Sequence, residues 1–179
     1  MERIDVSGIK LHVGGRERRE GWTIVDVLPA PHVDYVANCN DLSFLPDASC
    51  LEIYASHVLE HLAYNGEVQT CLKGFHRILV PGGRIRISVP DLEVLCGLFV
   101  NPQLNSHDRF FLMRVMYGSR DDAADIHHTG FTFDFLRAFI RDAGFRGEVR
   151  RVENFGEFRD MSAGSYKGHP ISLNVEAFK

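Results

Sequence analysis

The sequence predicts an α/β fold built on a mostly parallel sheet, and three observations carry that expectation. Short apolar, β-branched runs alternate with segments of helical periodicity along the chain. The first run, Ile9–Val13, stops abruptly on Gly14 and Gly15, and the second, over 22–27, carries Asp26 at its tip. Gly14, Asp26, Ser56 and Asp91 each fall just past an expected strand. Four strand ends therefore turn glycine or polar residues towards one rim, where open α/β sheets bind their ligands.

The elements follow in order. Only residues 14–21 join the first two strands. A parallel crossover ordinarily needs a dozen or more residues holding a helix, so the first crossover helix is expected to be reduced or absent. Pro29 and Pro31 break the chain before a short strand over 33–37, and Asn40-Asp41-Leu42 forms a polar turn. A strand over 51–55 precedes a stretch of mixed character, 56–62, containing His57, Glu60 and His61. Residues 67–79 make the clearest helix, with Val68, Cys71, Leu72, Phe75, Ile78 and Leu79 forming one apolar stripe. Pro81-Gly82-Gly83 ends it, and 84–90 alternates as a strand. Asp91 caps a helix over Leu92–Phe99. A helix over 109–117 and a polar loop over 118–130 come next. Thr132 caps a helix through Phe135, Leu136, Phe139 and Ile140 that ends at Gly144. Strands over 148–155 and 171–178 close the chain, the last alternating as an antiparallel or edge strand would.

Length and composition bound the function. At 179 residues, 1–179 is expected to form a single domain with a sizeable core. A formal charge of −4 provides no general basic field for nucleic acid or anionic lipid. Residues 1–8 have no apolar core, so no signal peptide is expected, and no apolar run is long enough to span a membrane. Cys39, Cys50, Cys71 and Cys96 are far apart, without a C-x-x-C pair. They read as reduced thiols of a cytoplasmic protein rather than a zinc cluster.

A glycine turn after one strand and an acid at the tip of the next is the layout of a nucleoside-containing cofactor site. The glycines let a ligand approach the backbone, and a carboxylate accepts from both ribose hydroxyls. The dinucleotide fingerprint is not met, because G-x-G-x-x-G is absent and Asp26 follows the glycines too soon.

The pieces LHVGGRERREGWTIVD, DLSFLPDAS, IYASHVLEHL, FHRILVPGGRIRISVPDLEVL, HHTGFTFDFLRAFIRDAGF and GHPISLNVEAFK cover nearly the whole chain. In that order the sequence resembles the class I S-adenosylmethionine-dependent methyltransferases, closest to their small type-11-like group. The resemblance implies a Rossmann-like sheet of about seven strands with the last antiparallel, and S-adenosylmethionine as cofactor. It further implies a small-molecule acceptor, Gly14 and Gly15 in the turn beside the methionine moiety, and Asp26 on the ribose. Asp41 and Leu42 match the loop beside the adenine, and Ser56 and His57 the loop facing the sulfonium. The turn departs from the family's G-x-G, since Arg16 stands in place of the third glycine, and His12 stands near where many members carry an acid. Arg16 reads either as a partner of the cofactor carboxylate or as a solvated arginine. The likeness places His127 and His128 on the acceptor side, where a histidine can take a proton from an O–H or N–H. Tyr117 is a comparable catalytic candidate, and Asp91 a weaker one.

Two rival readings remain. The altered glycine turn and short crossover suit a methyltransferase-like fold kept as a binding or structural module. His57-x-x-Glu60-His61 matches H-x-x-E-H, an inverted zinc-hydrolase motif. So short a pattern arises easily by chance, and the sequence shows no third ligand, so no metal site is expected. Finally, Val13, Trp22 and Ile24 lie where the first crossover helix is missing. Their sheet face calls for a cover, either a two-fold homodimer partner or the segment 155–166 of the same chain.

Overall fold

The computed structural model describes residues 8–121 and 125–179. The chain runs β1 (Ile9–Val13), β2 (Trp22–Asp26), β3 (Tyr35–Val36), β4 (Cys50–Ser56), α1 (Glu67–Ile78), β5 (Leu79–Pro90), α2 (Leu92–Phe99) and α3 (Ser106–Tyr117). It continues through α4 (Phe133–Asp142), β6 (Val149–Val152), β7 (Ser165–Tyr166), β8 (His169–Pro170) and β9 (Ser172–Phe178). Single 3-10 turns occupy Leu59–His61 and Met161–Ala163. Seven strands make one sheet, ordered β3-β2-β1-β4-β5-β9-β6. Strands β1 to β5 pair in parallel, and β9 runs antiparallel to both β5 and β6. This is the Rossmann-like α/β sheet of seven strands that was expected, with its last strand antiparallel.

The missing first crossover helix is borne out: residues 14–21 contain no helix. No helix separates β2 from β3 or β3 from β4 either. One sheet face is nevertheless well packed. Leu11, Val13, Ile53, Ile85, Ile87 and Val175 meet the stripe Val68, Cys71, Leu72, Phe75 and Ile78 of α1, together with Leu136 and Ile140 of α4. The opposite face is polar. Lys10, Glu52, Arg84, Arg86, Glu176 and Arg150 stand on it at β1, β4, β5, β9 and β6, alternating in sign from strand to strand.

Several boundaries move. The third strand shrinks to two residues, and β6 is shorter than the expected 148–155. Pro81-Gly82-Gly83 lies inside β5, because extended pairing begins at Leu79 opposite Cys50, before a register shift. Helix α3 starts three residues early, where Asn105 and Asp108 form a reciprocal capping box. Asp91 caps α2 as expected, its side chain accepting from the Glu93 and Val94 N–H groups. Of the loop expected over 118–130, residues 122–124 lie outside the described residues, as does most of the start over 1–8. Among the described residues no helix is long and apolar enough to cross a membrane.

Candidate functional site

Because β1, β2 and β4 run parallel, their carboxyl ends open on one side, and a cavity of about 610 Å3 lies there. Gly14, Asp26, Ser56 and His57 all line it. Gly14 adopts a left-handed φ of 71° and donates its N–H to the Val25 carbonyl, tying the turn to β2. A Cβ there would come within 2.7 Å of Val58 Cγ2, so both conformation and space require glycine. Gly15 serves differently: it is buried against His12 and is not part of the lining. Asp26 uses Oδ1 to accept from the Leu28 N–H at 2.8 Å, which orients the carboxylate and leaves Oδ2 free. Arg16 is exposed on the rim.

Asp41 and Leu42 are placed away from the cavity. Leu42 is buried in the main core, while Asp41 is exposed and accepts from the Ser43 N–H in a local turn. The side chain and backbone of Ser43 hold the Asp41 carboxyl below its ordinary range. Ala37, Asn38 and Cys39, just past β3, line the cavity at that end instead. The chain simply reaches the rim earlier than expected, because β3 ends at Val36.

The 3-10 turn after β4 concentrates titratable groups. His57 has a left-handed φ of 55°, a strained conformation for a residue with a Cβ. Its N–H donates to the Ser88 carbonyl, and its Nε2 lies 3.3 Å from Ser172 Oγ. Its Nδ1 lies 3.0 Å from Glu60 Oε1, an ion pair rather than a well-directed hydrogen bond, since neither Glu60 oxygen has a hydrogen-bond partner. Burial disfavours the charged form of His57, but the facing Glu60 carboxylate outweighs it and the pKa rises. Burial likewise pushes Glu60 up, and the histidines around it bring it below its ordinary value.

His127 reaches this turn from 66 residues further on. The His128 and Thr129 N–H groups donate to the Glu60 carbonyl at 2.7 and 3.1 Å, and Thr129 Oγ1 donates to the Leu62 carbonyl at 2.6 Å. Strapped down in this way, the His127 ring meets His61 edge-on, with centroids 4.9 Å apart. Burial lowers the His127 pKa and favours neutral imidazole. The two imidazoles of the H-x-x-E-H reading, His57 and His61, gain no third ligand among the described residues; a different group forms, without His57. Ligand atoms of Glu60, His61 and His127 lie within 4.8 Å of one another. Neither His127 nor His128 lines the cavity: His127 lies behind His61, and His128 is exposed. Tyr117 is 58% exposed and borders a separate surface depression with Phe110 and Arg114; only its carbonyl meets His127, accepting the backbone N–H. Asp91 is occupied as a helix cap.

The remaining wall comes from Phe158, Arg159, Asp160 and Met161, which periodicity could not single out in an irregular segment. Asp160 accepts from the Tyr54 hydroxyl at 2.7 Å and from the Ser162 N–H, which fixes the segment over the sheet. Burial pushes the Tyr54 hydroxyl well above its ordinary pKa, so it stays a donor.

No protein-family model matches the sequence, and no curated protein matches it. Solved structures do. The possible exported protein of Bordetella parapertussis superposes with a TM-score of 0.59 at 13% identity, over 96% of this chain and 62% of its own. The 1,6-didemethyltoxoflavin-N1-methyltransferase of Burkholderia thailandensis, solved with 1,6-didemethyltoxoflavin and S-adenosylhomocysteine, gives 0.59 at 18% identity, over 96% and 70%. A S-adenosylmethionine-dependent methyltransferase of Methanosarcina mazei gives 0.58 at 15%, over 98% and 94%. At such identities the likeness is one of fold. The chain spans less than two thirds of the Bordetella protein's length.

Proposed function

We propose that the protein is an S-adenosylmethionine-dependent methyltransferase acting on a small-molecule acceptor. The observation that carries the reading is the convergence of Gly14, Asp26, Ser56 and His57 on one cavity at the carboxyl ends of β1, β2 and β4. The residues fit a nucleoside sulfonium. The volume is in the range of small-molecule sites. The glycine turn brings backbone close without a side chain, and the free Oδ2 of Asp26 suits a ribose hydroxyl. When bound, the cofactor supplies an electrophilic methyl group.

The chain's own contribution is binding, orientation and exclusion of water. Asp26 accepts from the ribose, and Gly14 presents backbone to the methionine side. Ser56 and His57, at the end of β4, face the reacting centre. The segment Phe158–Met161 closes the cavity from above, in the irregular stretch around the Met161–Ala163 turn. His57 and His61 line the cavity and are the imidazoles placed to meet a hydroxyl or amine acceptor, while His127, kept neutral by burial, stands behind His61 in edge-on contact.

Calorimetric titration with S-adenosylhomocysteine tests this directly. Saturable binding is expected, and none up to millimolar ligand overturns the proposal. Asp26→Ala should weaken binding by roughly 1.5–3 kcal/mol through lost charge-assisted hydrogen bonds. An unchanged affinity would remove Asp26 from the site. The reading as a non-catalytic module is supported by Arg16 in the glycine turn and by the helix-free 14–21 link. Consumption of cofactor with any acceptor counts against it.

A further inference from the structure

We propose that Glu60, His61 and His127 form a site for one divalent transition-metal ion on the wall of the cavity. Two imidazoles and a carboxylate supply three ligand atoms within 4.8 Å of one another, the spread a single ion can bridge. The residues come from two distant parts of the chain, and their meeting is built in: the loop carrying His127 is strapped to the Glu60 and Leu62 carbonyls by three hydrogen bonds.

Three further observations point to a ligand. Glu60 is 1% exposed; its Oε1 faces His57 Nδ1 at 3.0 Å, while its Oε2 is buried without a partner. A carboxylate removed from water with one oxygen unpartnered is costly, and a cation at that oxygen relieves the cost. His61 Nδ1 lies 3.1 Å from the Ile126 carbonyl, so it is the protonated nitrogen and leaves the Nε2 lone pair free. His127 Nε2 faces Asp125 Oδ1 at 3.5 Å, while its Nδ1 is buried without a partner. Each imidazole thus has one nitrogen held by an outer oxygen and the other unengaged. That is how metal-binding histidines are oriented and made more basic. Ser119 in turn donates its backbone N–H to Asp125 Oδ2 at 2.9 Å, which holds the outer carboxylate.

Imidazole-rich ligation selects zinc, cobalt, nickel or iron over magnesium and calcium, which take oxygen cages. Three protein ligands leave coordination positions open. Of the three ligands His61 alone lines the cavity, so a small molecule bound there would reach the ion past His61, and an oxygen donor on it, a hydroxyl above all, is the class of group the ion would take. This assignment of acceptor chemistry rests on the methyltransferase reading; the metal site does not.

The test uses the whole chain stripped of metal with chelator, then titrated calorimetrically with zinc, cobalt and magnesium salts. One equivalent of zinc is expected, cobalt should bind with a ligand-field absorption, and magnesium should bind at least about 100-fold more weakly than zinc. Glu60→Gln and His127→Gln should each weaken zinc at least about 100-fold, Asp125→Asn roughly 10-fold, and exposed His128→Gln not at all. Circular dichroism reports whether each variant folds. Should a variant fail to fold, imidazole nitrogen resonances of the wild type decide, since zinc must shift His61 Nε2 and His127 Nδ1. Substoichiometric zinc overturns the site, as do undiminished binding in folded Glu60→Gln and His127→Gln or zinc-induced shifts confined to other histidines. S-adenosylhomocysteine titrated into the same metal-free protein separates the two proposals. Its binding without zinc binding removes only the metal site; zinc binding without it removes only the methyltransferase reading.

Discussion

His12 is buried at 4% exposure among three aromatic rings, Phe158 at 4.0 Å, Tyr54 at 5.1 Å and Trp22 at 6.1 Å between centroids. Its Nδ1 has no hydrogen-bond partner, and Gly15 packs against that edge of the ring. Burial lowers its pKa from 6.5 to about 4, with Asp160 partly opposing. The folded chain therefore refuses a proton that the unfolded chain accepts. The stability at stake is fully present above the unfolded value of 6.5 and is lost as pH falls towards about 4. The loss is worth about 3 kcal/mol. His12→Gln has nothing to titrate there, so its urea stability should fall by about 3 kcal/mol less than that of the wild type across the same interval. Equal losses in the two proteins would place the titration elsewhere. The sequence marked His12 as a departure from an acid; that it is an aromatic-packed neutral group depends on Phe158, 146 residues later.

Strands β4, β5 and β9 explain how a sheet without its first helices keeps an open face. Parallel strands usually read as unbroken apolar runs because helices cover both sides. Here β5 alternates although it is central and pairs in parallel with β4, and β9 alternates although it lies inside the sheet. The alternation reports the polar face; β9 is antiparallel, as its pattern suggested, but it is not an edge strand. Charges of opposite sign meet across the strands on that face. Lys10 lies 3.8 Å from Glu52, Arg84 3.0 Å from Glu52 and 3.7 Å from Glu176, and Arg150 2.8 Å from Glu176. Arg86, at 5% side-chain exposure, pairs with Glu52 and also reaches Glu157 at 3.3 Å. Glu52→Gln leaves Arg86 buried with its more exposed partner alone and should cost about 3 kcal/mol in urea unfolding. Lys10→Gln, at the half-exposed end of the ladder, should cost less than about 1 kcal/mol. A Glu52→Gln cost as small as that of Lys10→Gln would show that burial of the Glu52–Arg86 pair adds nothing to the ladder.

At the scale of the molecule, the surface expected to need a two-fold partner is already covered. Val13, Trp22 and Ile24 are all buried within one chain. The segment after β6 covers the carboxyl half of the polar face, with Phe158 packed on Trp22 and Tyr54 and Phe155 alongside. Asn174 Nδ2 secures it by donating to the Glu153 and Ser162 carbonyls at 2.9 and 2.7 Å. Phe158→Ala should therefore destabilise by about 3–5 kcal/mol, the cost of deleting a buried ring that its neighbours cannot fill. Urea unfolding measures it, and light scattering at micromolar concentration should give a mass near 20.3 kDa. A dimer mass with a nearly neutral Phe158→Ala would restore the identical subunit as the cover.

The local pattern by itself determined the sheet and most of its rim. Periodicity marks α1, the Asp91 and Thr132 caps follow from residue type, and the short 14–21 link leaves too little chain for a full crossover helix. Gly14, Asp26 and Ser56 were legible because a parallel strand carries its last residue to the ligand-binding edge; Asp91, read the same way, is spent on capping α2, and His57 came only with the family resemblance. What only the tertiary structure decided lies where one part of the chain closes on another. His127 beside Glu60 and His61, Phe158 over His12, and Cys39 rather than Asp41 at the cavity each depend on loop paths that no periodicity encodes. Those paths are set by irregular hydrogen bonds, such as the His128 and Thr129 N–H groups on one carbonyl, which have meaning only after the sheet has brought their partners together.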